Sequence, residues 1–80
     1  MERLIKLIWD FRGPDADKIA EHHVIHLREF VTIERLPLKI IDKQVINEAH
    51  SIAYLVVNDQ QMREVRDVLK PHRGELYEEL

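Results

Sequence analysis

The side chains best suited to chemistry in this 80-residue chain are its five histidines, and three of them crowd into Glu21-His22-His23-Val24-Ile25-His26. On a helix of 3.6 residues per turn this run separates into two faces. His22 and His26, four apart, share a flank, and Glu29 follows about one turn later. Two imidazoles at that spacing chelate Zn, Ni or Cu, with Glu29 as a third donor, so His22, His26 and Glu29 are the candidate metal ligands. The run is not a zinc-protease helix. No glutamate stands between the histidines as His-Glu-x-x-His requires, and Lys18 stands where His-x-x-Glu-His needs a histidine. The plainer role for His22 and His26 is a solvated helix flank. For His23 it is a buried neutral imidazole whose ring N–H finds a carbonyl or tyrosine partner.

Two further clusters could hold a small anion. The first is the junction Trp9-Asp10-Phe11-Arg12-Gly13-Pro14-Asp15, where unpaired N–H groups at a helix start would sit beside the Arg12 guanidinium. Asp10 and Asp15 oppose an anion there, and a simpler role for them is capping the helix or pairing with Arg12. The second is Lys70-Pro71-His72-Arg73-Gly74, a cationic stretch beyond a helix C-terminus whose simplest role is to offset the helix dipole. Asp10, Arg12, Gly13, His72 and Arg73 are therefore the candidate ligand-binding residues. His50 is expected in a hairpin turn, as a turn residue or a fourth metal ligand. Catalytic signals are sparse: Ser51 is the one serine and has no Gly-x-Ser-x-Gly elbow. General acid–base work by His22, His26 or His72 with Asp10 is chemically available, but no spacing demands it. No catalytic residue and no cofactor is assigned.

The elements that must position these groups follow from periodicity. Residues 3–11 alternate as a strand, with Ile5, Leu7, Trp9 and Phe11 on one side. Gly13-Pro14-Asp15 ends it and starts a helix over 16–35, whose stripe is Ala16, Ile19, Ala20, His23, Leu27, Phe30 and Val31. Pro37 stops that helix. Two β-rich runs, 38–46 and 51–58, are joined by the turn-like residues 47–50. Asn58 or Asp59 caps a second helix, which carries Met62, Val65 and Leu69 inward and ends at Lys70-Pro71. The tail 75–80 is either an edge strand or a short helical end. The expected fold class is α+β, a ferredoxin-like split βαβ: β-α-β-β-α with a short last strand as an option, and an antiparallel sheet with both helices on one face. Residues 1–80 are expected to form a single domain.

Composition removes several classes. The chain has 34% charged residues, a net charge of -3 and no cysteine. That excludes a disulfide scaffold and a thiolate nucleophile, and an acidic chain lacks the basic footprint of a nucleic-acid binder. RNA binding, with Trp9 and Tyr54 as stacking platforms on adjacent strands, is the weakest option. No run approaches a membrane span, the N-terminus has no secretion signal, and the expected location is cytoplasmic. The first and third strands are apolar on both sides, with Leu4 and Ile8 opposite Ile5 and Leu7, and Ile52, Tyr54 and Val56 opposite Ala53, Leu55 and Val57. A second copy of the chain is the cheapest cover for the face the helices leave open, so a homodimer is expected.

The order of elements resembles that of small ligand-sensing domains such as the ACT family, in which the first strand-to-helix loop contacts an amino acid. That resemblance of layout implies a homodimeric small-ligand-binding or regulatory module. The alternatives are a small dimeric enzyme with a histidine-lined pocket, centred on His23 or His26 beside Trp9 and Tyr54, and a His-based metal-binding protein.

Overall fold

The computed structural model describes residues 3–38 and 40–78. In chain order they form β1 (Leu4–Arg12), α1 (Ala16–Ile33), β2 (Ile41–Asn47), β3 (His50–Asn58), α2 (Asp59–Leu69) and β4 (Arg73–Leu76). The chain is α+β, with one four-stranded antiparallel sheet in the order β2-β3-β1-β4 and two helices. Long pairing between β1 and β3, from Leu4↔Asn58 to Arg12↔His50, forms the sheet centre. Alternation then places Leu7, Trp9, Ala53, Leu55 and Val57 on one face, where they share a core with Val24, Leu27 and Val31 of α1 and Val65 of α2.

Element ends have local causes. Gly13 adopts φ 113, open to glycine alone among common residues, and its N–H donates to the Ala49 carbonyl at 2.8 Å. This bond ties the β1–α1 loop to the β2–β3 turn. In that turn the Asn47 side chain accepts from the Ala49 N–H, and the ladder skips Ile46 as a bulge. Asn58 caps α2 by accepting from the Gln61 N–H, whereas Asp15 precedes α1 without a side-chain cap bond. Helix α1 stops at Ile33, two residues short of the expected end. Arg35 turns left-handed (φ 53), and the Leu36 N–H reaches back to the Val31 carbonyl, so this reversal terminates the helix before Pro37 does. Strand β2 starts at Ile41 and not at Leu38; Lys39 lies outside the described residues. The last strand is Arg73–Leu76, earlier than the expected tail segment, and Glu79 and Leu80 lie outside the described residues.

The buried side of α1 is Ala16, Ala20, Val24, Leu27 and Val31. It is rotated from the expected stripe, because α1 packs mainly over β3 and brings Val24 underneath. His23 and Phe30 move to the flank, half-buried, and Ile19 is exposed. Among the described residues no helix is long and apolar enough to cross a membrane.

The sheet face away from the helices corrects one premise. Ile8, Ile52 and Val56 point to it, yet they are only 1%, 3% and 0% exposed in the single chain. Long neighbours lie over them: the Lys6 ammonium sits 4.3 Å above the Tyr54 ring, and Asp10, His50 and Arg73 join above the other end. The homodimer expectation drew on this apolar face needing a second cover, and its aliphatic side chains are already dry in the single chain.

Candidate functional site

Asp10 is the centre of the densest polar cluster. On β1 it alternates with Trp9 and Phe11 and so projects to the face without helices. Its Oδ1 accepts from His50 Nε2 at 2.8 Å, across to the start of β3. Arg73, at the start of β4, donates through Nε to Oδ2 at 3.0 Å and through a terminal nitrogen to Oδ1 at 3.2 Å. The Asp10 backbone N–H donates to His72 Nδ1 at 2.8 Å, and the His72 N–H donates to the Ile8 carbonyl. The Asp10 carboxylate thus ties β1 to β3 and β4, and its backbone N–H ties β1 to the α2–β4 connection. The Arg73 hydrogen bonds hold the Asp10 carboxyl at about 2, against partial burial that pushes it upward, with His50 adding to the lowering.

This arrangement sorts the expected ligand-binding residues. Asp10, His72 and Arg73 come together. Arg12 shares their sheet face and pairs with His50 across the ladder, which points it away from the start of α1. Gly13 serves the turn through its backbone. The pairing of Arg12 with an open helix start therefore does not form, because strand alternation puts them on opposite sides of the sheet. His50, expected as a turn residue or metal ligand, is instead the second arm of the cluster. Its signal was the β1–β3 register, which places it diagonally from Asp10 and which no local pattern encodes.

On the helix side of β4 lies a groove of about 460 Å³. Ile5, Leu7, Met62 and Leu76 give it apolar walls, and Arg66 and His72 a basic rim, while Arg73 lines it from the strand with its guanidinium turned to Asp10 on the other face. Glu75 is the one acid lining it among the described residues. Helix α2 packs on β1 and β3 and leaves β4 uncovered, which is why the groove exists. A shallower depression lies on the outer face of α1, between Ile25 and Ile33, and Glu29 lines it with Arg28 and Thr32.

That position separates Glu29 from the histidines. His22 and His26 do meet, Nε2 to Nε2 at 2.9 Å. Among the described residues, however, no three His, Asp or Glu side chains gather as a metal-holding group, so the expected third donor is missing. His23 lies under the helix between Trp9 and Phe11, with ring centroids 4.8 and 5.4 Å away. Its Nε2 is buried without a hydrogen-bond partner among the described residues, in place of the expected carbonyl or tyrosine. Burial, then the nearby His26, His72 and His22, push its pKa below 6.5, which keeps it neutral. Trp9 and Tyr54 are on adjacent strands but opposite faces, Trp9 donating to the Leu69 carbonyl in the core. They cannot form a common stacking platform or line one pocket. Ser51 is buried on the helix side.

Compared with known proteins, the chain matches no family model, no curated protein and no solved structure.

Proposed function

We propose that this chain is a small ligand-binding module of ferredoxin-like architecture that takes an anionic small molecule with an apolar body. The strand order β2-β3-β1-β4, with both crossovers carrying a helix, supports the architecture. One observation carries the function: the groove beside β4 joins apolar walls to a basic rim of Arg66 and His72, the latter already held by the Asp10 backbone N–H. Groups fixed before binding lose little freedom on binding.

The test is NMR shift mapping of the untagged protein with a fatty carboxylate, an aromatic carboxylate and inorganic phosphate. The carboxylates should shift Leu7, Met62 and Leu76 together with Arg66 and His72. His72→Ala and Arg66→Ala should each weaken binding by about tenfold, the worth of one charge-assisted hydrogen bond. No shifts at millimolar ligand, or shifts that ignore both substitutions, would sink the proposal.

A second function draws on the Asp10–His50 contact, because a carboxylate that orients an imidazole is a common general-base arrangement. Two bonds from Arg73 to the same carboxylate reduce its help to His50. Turnover of a carboxylate ester, lost in His50→Gln while binding survives, would favour the enzyme.

A further inference from the structure

We propose that His22 and His26 on α1 form a two-imidazole chelate selective for cations that favour right-angled coordination, Cu2+ or Ni2+, over tetrahedral Zn2+. The two Nε2 atoms face each other at 2.9 Å across one helical turn, with ring centroids 4.6 Å apart and ring planes at 74°. Both side chains are exposed on the flank of the helix. Metal–imidazole bonds are about 2.0–2.1 Å long, and two such bonds spanning 2.9 Å meet at an angle of about 90°. A tetrahedral ion would need the same nitrogens about 3.3 Å apart. A right angle is the cis angle of square-planar and octahedral ions, the geometry of Cu2+ and Ni2+ with nitrogen ligands.

The protonation chemistry fits this pairing. In the metal-free chain one Nε2 carries a hydrogen and donates it to the lone pair of the other. A cation accepts both lone pairs, and each ring then carries its hydrogen on Nδ1, so one of the two neutral rings changes tautomer and no proton is lost. The third histidine of the run cannot join, because His23 is turned inward against Trp9 and Phe11. Glu29 is likewise apart, with the groove residues Ile25, Arg28, Thr32 and Ile33. Two protein donors leave the other positions to water or a small ligand, so binding is exchangeable and weaker than at a closed structural site. Acid abolishes it, since an imidazolium has no lone pair to give.

The experiment titrates untagged protein with CuCl2, NiCl2 and ZnCl2, each by calorimetry, with NMR to locate paramagnetic broadening by Cu2+. Broadening should centre on His22 and His26, and Ni2+ should bind more tightly than Zn2+. His22→Ala and His26→Ala should each lower Cu2+ affinity by at least about tenfold, as losing one of two ligands must exceed the loss of a supporting contact. Both sites are exposed, so circular dichroism should show unchanged folding. Broadening centred on His50 or His72, affinity indifferent to both substitutions, or tighter binding of Zn2+ than of Ni2+ would each overturn the proposal. None of these outcomes bears on the groove beside β4.

Discussion

The two faces of β1 and β3 reach the same degree of burial by different means. Leu7 and Leu55 vanish beneath helices, in contact with Leu27, Val31 and Val65. Ile8 and Val56, one residue along each strand, vanish beneath side chains of the sheet itself. Lys6 reaches across to Tyr54, and Arg73 and His50 close on Asp10. An aliphatic residue can therefore be dry without a second layer of backbone, provided long polar neighbours are held in place by one another. Those same neighbours, once held, become ordered donors at a surface, which the helix-covered face cannot offer.

The sharpest way to break this contrast is to hollow each face in turn. Leu55→Ala should cost about 4 kcal/mol in denaturant unfolding, because packed helices cannot collapse into the space. Ile8→Ala should cost about 2 kcal/mol, near the transfer value alone, because its polar cover can settle inward. Equal losses would show both faces to be packed alike and would end the distinction.

Removing the organiser comes next. Asp10→Asn should cost about 1 kcal/mol at neutral pH, after allowance for solvent that reaches Arg73. The Asp10 carboxyl is lowered from 3.8 to about 2 in the folded chain. Its contribution is therefore complete above pH 3.8 and is lost as pH falls towards 2. The variant should show a flatter stability profile across that window; an unchanged profile would deny Asp10 its role. The helix-covered face has the opposite defect in the unpartnered Nε2 of His23. His23→Leu should raise stability by about 1 kcal/mol, as an unsatisfied buried group is removed. Because its pKa is lowered in the folded state, the cost of burying His23 is least above pH 6.5 and grows as pH falls below that value. The variant's stability should accordingly decline less on acidification. The smallest effect belongs to the lid over Tyr54: Lys6→Ala should cost about 0.5 kcal/mol, with increased solvent access to Tyr54 fluorescence as the readout.

Much of the architecture is written locally. The change from alternation to a 3.6-residue period at Gly13, the Asn58 cap and the inward Met62, Val65 and Leu69 all lie within a few residues of what they specify. The pair His22–His26 was likewise legible, since a four-residue step on a helix is a local fact. The rotation of α1 that exposes Ile19 was not, because which side of a helix faces inward depends on the strand beneath it. Neither was the site. Asp10 meets His50 and Arg73 across separations of 40 and 63 residues, and a one-residue slip of register would send each to the other face. Sequence by itself determined the order of the first five elements and which residues alternate, because backbone geometry imposes those periods within a single segment, while the last strand stayed open. Only the tertiary structure decided which alternating sets meet, what covers Ile8 and Val56, and where the basic rim stands, because strand pairing is settled by contacts between distant segments.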